Sequence, residues 1–315
     1  MMERIGLYAV LILMGTGWGL TIPLAKVAVS TGHKPFGLIF WQLVTVVILL
    51  GSITVLRGKP LVFKREYMPL FVMVALCGAV LPDIFYYLVA MTLTGGVMSI
   101  TTSTVAMFSL PIALALGNER FEASRFLGVG CGLLGIILLV GPDASLSEGS
   151  SGIWVLIALL APLLYATEGN LVSKWGTQGL DPMQVIFSAS LIGMAITLPV
   201  AVGTGQWINP LDGVGLPELA LVVGAMVHGL VYACYVWLVG RAGSVFAAQT
   251  SYVVTATGVL WSMGLLSESY SAWVWLALGV MMLGMFLVQP RAVRVLVPGR
   301  AMEDDGNPPD EAPRT

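Results

Sequence analysis

The chain has 315 residues, of which 57% are hydrophobic and 10% charged, with a net charge of −2. Soluble domains carry about 25% charged residues, so this composition excludes a soluble globular protein and reads as an integral membrane protein. Helical spans need roughly 20 apolar residues each, and the long unbroken apolar runs here favour helices over the short alternating strands of a barrel.

Apolar runs separated by polar, glycine and proline punctuation predict ten spans, at about 5–29, 36–56, 68–91, 95–116, 123–140, 153–175, 181–203, 216–239, 243–265 and 271–288. Met1 to Arg4 followed by an apolar run resembles a signal peptide. The run from Ile5 to Val29 outlasts the roughly 7 to 15 residues of a signal core, so it is read as the first span, retained. Longer connectors lie at 57–67, 141–152 and 203–215, and Glu303 to Thr315 lacks apolar periodicity and is expected to be disordered. The three cysteines, Cys77, Cys131 and Cys234, all fall inside apolar runs, which suits packing and argues against a disulfide framework or a metal site.

Orientation follows from the basic residues. Thirteen of the fifteen Lys and Arg fall on one side, and only Lys26 and Lys34 on the other. The positive-inside rule then places both termini in the cytoplasm.

The chain also repeats itself. Gly95 to Pro142 recurs in degraded form as Gly243 to Pro290, with Glu119 on Glu268, Gly130 on Gly279 and Gly135 on Gly284 at a shift of 149. Lys26 and Lys174, Pro35 and Pro182, Phe40 and Phe187, Tyr87 and Tyr235, and Gly95 and Gly243 pair at shifts of 147 or 148. Spans one to five therefore repeat as spans six to ten. An odd-numbered unit enters the membrane from opposite sides, so the expected fold is an all-α membrane protein of ten helices, built as two inverted five-helix repeats. Transporters of this kind bind substrate near the midplane, where the halves meet.

Gly17-Trp18-Gly19 with Lys26 at the end of span one, Tyr86-Tyr87 and Ala90 leading to Gly95-Gly96, and the turn Leu116-Gly117-Asn118-Glu119-Arg120 form an ordered set. With the five-plus-five layout, that set resembles the EamA family of the drug/metabolite transporter superfamily over nearly the whole chain. The resemblance implies a secondary transporter of the cell inner membrane, commonly an exporter of amino acids or other small metabolites. Its organisation would be a first EamA-like repeat at 1–140, a periplasmic linker at 141–152, a second repeat at 153–290 and a cytoplasmic tail at 291–315. Two departures stand out: the family often has Arg near the start of span two, where this chain has Trp41-Gln42, and Leu266-Ser267-Glu268 replaces a Gly-Glu turn.

Ionisable residues deep in a span are expensive and tend to face an interior cavity. Asp83, Glu168 and His228 qualify, and they are the candidates for proton coupling. Asp83 follows Pro82, which frees the carbonyl of Gly78 and permits a kink. Helical spacing puts Asp83, Tyr86 and Tyr87 on one face, and likewise His228, Tyr232 and Tyr235, Tyr165 and Glu168, Trp18 and Thr21, Thr101 and Thr104, and Gln249 and Tyr252. These residues are the expected cavity lining, the alternative for each hydroxyl being a hydrogen bond to a neighbouring helix. No Lys or Arg lies near a span centre, which favours zwitterionic, cationic or neutral solutes over anionic ones. Lys26 and Lys174, at span ends, are expected to snorkel to the interface.

Gly130-Cys131-Gly132-Leu133-Leu134-Gly135 matches a dinucleotide fingerprint but lies inside an apolar span. Gly128, Gly132 and Gly135 read instead as a small-residue stripe for close helix packing. Glu119 and Glu268 sit in turns and are expected to cap the helix that follows each.

The functional expectation is a secondary transporter working by alternating access on a small-molecule substrate, possessing no enzymatic activity, cofactor or metal, touching the lipid bilayer but no nucleic acid, and acting as a monomer or homodimer. An importer or facilitator of a vitamin-like solute is the alternative. An intramembrane enzyme lacks its signatures, since neither H-E-x-x-H nor G-x-S-x-G occurs.

Overall fold

The computed structural model describes residues 2–117, 122–140, 152–242 and 250–288, and among them every regular element is helical. In chain order these are α1 (Met2–Val29), α2 (Pro35–Leu56), α3 (Met68–Ala75), α4 (Leu81–Ala90), α5 (Gly95–Thr102), α6 (Thr104–Ala115) and α7 (Ala123–Val140). They continue as α8 (Gly152–Ala158), α9 (Leu160–Trp175), α10 (Pro182–Gly203), α11 (Leu216–Ala242), α12 (Thr250–Leu266) and α13 (Ala272–Val288). A π turn, Leu76–Val80, joins α3 to α4. Eight continuous stretches among the described residues are long and apolar enough to cross a membrane, and α12 and α13 are apolar but shorter. The chain is a multi-pass membrane protein.

Local chemistry sets the helix starts. Pro35 opens α2 after an extended Lys34, as the residue before a proline requires. Asp181 caps α10 in a capping box, accepting from the Met183 amide at 3.0 Å while Gln184 Oε1 accepts from the Asp181 amide at 2.9 Å. Spans four and six are each interrupted once, at Ser103 between α5 and α6 and at Leu159 between α8 and α9.

The two halves of the chain interleave. α1 packs between α11 and α12, α9 lies against α4 and α6, α2 runs along α10, and α7 runs along α13. Without a hydrophobic drive between helices in lipid, close backbone approach does the packing. A Cβ at Gly128 of α7 would stand 2.6 Å from the Gly284 carbonyl oxygen of α13, and one at Gly135 would stand 2.7 Å from Met281 Cγ. Gly132 faces Met107 of α6 instead, so the glycine stripe serves two neighbours.

Polar ties run between the halves at both ends of the bundle. At one end His33 meets Glu218 at 2.6 Å, and Trp41 Nε1 donates to the Ile208 carbonyl at 2.9 Å. At the other, Lys59 and Arg57 face Asp181, Gln184 Nε2 donates to the Pro60 carbonyl at 2.7 Å, and buried Arg125 donates to the Val288 carbonyl at 2.9 Å.

Three assignments made from the sequence change here. Lys26 does not snorkel to the interface: its ammonium donates to the carbonyls of Ala90, at 3.2 Å, and of Leu93, where α4 ends. Glu268 does not cap α13, the helix that follows it. Its carboxylate accepts from the Gly95 amide at 2.8 and 3.0 Å, capping α5 in the other half of the chain, while Tyr270 donates to it at 2.5 Å. The α4–α5 turn is thus held by a cation at its carbonyl end and an anion at its amide end, the polarity that helix dipoles favour. The third change concerns hydroxyls: Thr101 bonds the Met98 carbonyl of its own helix, and Thr104, at the start of α6, bonds the Thr101 carbonyl of α5 across the break at Ser103, so both stay within span four rather than reaching a neighbouring span. Glu119 lies outside the described residues.

Gly128→Ala is expected to destabilise by about 1–3 kcal/mol through overpacking against backbone that has no room to shift. Gly130→Ala, with nothing within 4 Å, is expected to leave stability unchanged. Thermal melts of the detergent-solubilised variants read both. Burial pushes the Asp181 carboxyl up, but the Lys59 ammonium, the Met183 amide and Arg57 outweigh it and hold the group below the usual carboxylate range. A depressed folded-state value contributes stability above the unfolded value of about 3.9 and loses it as pH falls through the folded one. The stability gap between wild type and Asp181→Asn should therefore be full at neutral pH and close below about pH 4 in the same melts.

Candidate functional site

Pro82 has no N–H, so the ladder of span three is broken four residues earlier, and the chain answers with the π turn. That turn brings Gly78 against α9. A Cβ there would lie 3.1 Å from Glu168 Cδ and 3.2 Å from Oε1, so the absence of a side chain is what lets the carboxylate settle on span three.

Five residues on, Asp83 is buried and accepts two hydrogen bonds. Gln42 Nε2 of α2 donates to Oδ2 at 2.7 Å, and the Tyr165 hydroxyl of α9 donates to Oδ1 at 2.8 Å. The Tyr87 hydroxyl donates in turn to Gln42 Oε1, which fixes the direction in which the amide points. Tyr86 stands edge-on to Tyr87, with ring centroids 5.9 Å apart. Together with Tyr165, Met98, Thr101 and Pro162, Tyr86 borders a cavity of about 40 Å³. That is room for water, whereas a metabolite pocket is typically about 300–1,000 Å³.

A second cluster surrounds Trp18 of α1. Its ring centroid lies 5.5 Å from that of Tyr235, 6.2 Å from His228 and 6.4 Å from Tyr232, all three on α11. The Tyr232 hydroxyl donates to Glu168 Oε1 at 3.4 Å. Trp18 Nε1 is buried and has no hydrogen-bond partner among the described residues. Tyr165 and Glu168, one turn apart on α9, join the two clusters, and Trp18 and Thr21 of α1 run beside them.

The sequence-derived candidates therefore separate. Asp83, Tyr87 and Tyr165 form one hydrogen-bonded set, and Trp18, Glu168, His228, Tyr232 and Tyr235 form another. Tyr86 and Thr101 flank the small cavity. Thr21 donates to the Trp18 carbonyl of its own helix at 2.7 Å, and Thr104 is likewise turned to its own backbone. Tyr252 packs on the main core with its hydroxyl buried and unpartnered, and belongs to neither cluster. Gln249 lies outside the described residues. Glu168, which sequence position left free to reach interfacial water, is 8% exposed.

Gln42 is the residue that sequence reasoning missed. Its signal was a lone amide in the apolar 22-residue run of α2, at the position where the chain departs from the family habit. Asn170 was missed as well: it is buried and donates to Ser109 Oγ at 2.8 Å, tying α9 to α6. Among the described residues, no three His, Cys, Asp or Glu side chains gather as metal ligands would.

The profile of the EamA-like transporter family matches residues 5–141 and matches again over residues 152–289. The chain belongs to that family. It is accordingly a membrane transporter of the drug/metabolite type, carrying the family's repeat twice. No curated protein sequence matches this EamA-like chain. Twenty-three solved chains match it in structure. One, a crystal structure described only as that of a protein, superposes with a TM-score of 0.62 at 17% identity, covering 89% of this chain and 96% of its own. At that identity the likeness speaks to the fold alone.

Two buried carboxylates that join no ion pair among the described residues equip the site to hold protons or to bind a cationic group. Tyr165→Phe removes one of the two donors to Asp83 and should cost about 1–3 kcal/mol, the range for leaving a charged acceptor short of a partner. Equal melting of Tyr165→Phe and wild type would show that the bond contributes nothing.

Proposed function

We propose that this EamA-like protein is a secondary transporter that works by alternating access, with its two repeats inverted relative to one another and its substrate held between them. The observation that carries this reading is the pair of carboxylates, Asp83 and Glu168, buried where the two halves meet and, among the described residues, joined to no cationic side chain. A buried charge of this kind is expensive to keep, and in membrane proteins it marks a substrate or proton pathway.

The contacts support a two-fold relation between the halves, and the odd number of spans in each half is what argues for inversion. α1 of the first half lies on α11 and α12 of the second, while α9 of the second lies on α4 and α6 of the first. Exchanging the halves turns one set of contacts into the other. On this reading α12 and α13 are the ninth and tenth spans, and the thirteen basic residues of one side lie in the cytoplasm. The protein sits in the inner membrane as a monomer or homodimer.

The substrate class is a small zwitterionic, cationic or neutral metabolite such as an amino acid, because among the described residues no Lys or Arg pairs with the two carboxylates. Export is the direction the family favours. Protons move on Asp83 and Glu168, with His228, stacked on Tyr232, assisting, and an uncoupled facilitator is the alternative.

The test is flux in proteoliposomes carrying the full chain, driven by a pH gradient with a mixture of radiolabelled amino acids as reporter. Asp83→Asn should cut gradient-driven flux at least about tenfold, the loss of 1.4 kcal/mol of coupling. Unchanged gradient-driven flux in that variant would remove Asp83 from the coupling.

A further inference from the structure

The two buried carboxylates are not equally provided for. Asp83 has a donor on each oxygen, at 2.7 and 2.8 Å. Glu168 is as deeply buried, yet among the described residues its single hydrogen-bond donor is Tyr232, at 3.4 Å, and it joins no ion pair. An ionised carboxylate offers about four acceptor positions. One that is buried and so thinly served is stable only when something else neutralises it. Asp83 is built to stay where it is, and Glu168 is built to take a partner.

The surroundings select that partner. A hard metal ion needs about six or more oxygen ligands, and Glu168 has a single phenol beside it. What the site offers in quantity is aromatic surface: Tyr232 touches the carboxylate, and Trp18 lies 6.4 Å from Tyr232 and 5.5 Å from Tyr235, centroid to centroid. Ring faces attract ammonium groups and tolerate their apolar substituents. Among the described residues the Trp18 N–H is buried and unpaired, so packing alone holds this indole, against the α11 rings and the apolar cluster of Leu11, Met14, Val231 and Leu238, with no hydrogen bond to break when a guest arrives.

We propose that Glu168, walled by Trp18, Tyr232 and Tyr235, is the seat of an organic ammonium group, which takes the place of the proton that otherwise neutralises the carboxylate. The proposal rests on the transporter reading above and narrows its substrate to amines carrying a net positive charge. In the exchange the Glu168 O–H bond breaks, its proton passes to water on whichever side is open, and the carboxylate receives the ammonium. Leaving, the ammonium yields to a proton again, so amine and proton occupy the seat in turn. The other titratable groups facing Glu168 are Cys77 on the π turn, Tyr232 and Tyr235 on α11 with His228 a turn earlier, and, across Tyr165, Asp83.

Three probes with one ring system separate the charge classes: tryptamine is a cation, tryptophan a zwitterion and indole-3-propionate an anion. Thermal shift of the purified full chain at pH 7 should show stabilisation by tryptamine and none by indole-3-propionate, with tryptophan at least tenfold weaker. Glu168→Gln keeps the shape and removes the charge, and should weaken tryptamine at least tenfold. Should that variant fail to fold, wild-type titrations decide: an alkyl ammonium stays charged below about pH 10, so tryptamine should bind more weakly as pH falls, by up to tenfold per unit, as its partner protonates. Equal stabilisation by tryptophan or indole-3-propionate, no stabilisation by tryptamine, or pH-independent binding would each overturn the proposal. These readouts need no gradient and no flux. Gradient-driven amino-acid transport that persists beside a failed tryptamine titration removes the amine and keeps the transporter, whereas binding without flux does the reverse.

Discussion

The Asp83 carboxylate sits where three spans converge, and it binds two of them to its own: α2 through Gln42 and α9 through Tyr165. In a bilayer, a polar group of this kind finds no water to fall back on, so its partners must come from the protein. The surrounding geometry follows from that requirement. Tyr87 has to orient Gln42, the π turn has to set α4 at its angle after Pro82, and Gly78 has to stay bare so that α9 can approach closely enough for Tyr165 to reach.

The ends of the helices obey the same requirement. A proline-free helix still leaves its last carbonyls and first amides without partners, and the α4–α5 turn meets this with opposite charges brought from α1 and from the α12–α13 turn. The glycines of α7 and the hydroxyls of Thr101 and Thr104 do the rest, the former by letting backbones touch and the latter by bonding carbonyls within their own span. Among the described residues the polar atoms left unmet are the Trp18 indole N–H beside the Glu168 cluster and the hydroxyls of Thr250, Tyr252 and Ser271 away from it.

Spans were legible in the sequence because hydrophobic length is a one-dimensional property, and the repeat was legible because Lys26, Tyr87 and Gly95 recur at a near-constant shift. Asp83 and Glu168 stood out for a similar reason, as charges in apolar runs. Neighbourhood was not legible. Sequence periodicity assigns residues to a face of one helix but does not say which helix lies opposite, so Gln42 could not be matched to Asp83 across 41 positions, nor Glu268 to Gly95 across 173. The single polar face expected of the whole bundle resolved into two clusters for the same reason, and Tyr252 belongs to neither.

The ties that cross between the halves bear on how the chain is made. Tyr165 reaches Asp83, Glu268 reaches Gly95, Asp181 and Gln184 reach Lys59 and Pro60, and Val288 receives Arg125. In each case one partner emerges from the ribosome long before the other. The first half therefore enters the membrane with its ties incomplete: Asp83 waits 82 residues for its second donor, and the Gly95 amide waits 173 for its carboxylate. Such a half is an unfinished object rather than a small version of the whole, and a quality-control system that reads exposed polar groups in lipid has a defined interval in which to act on it.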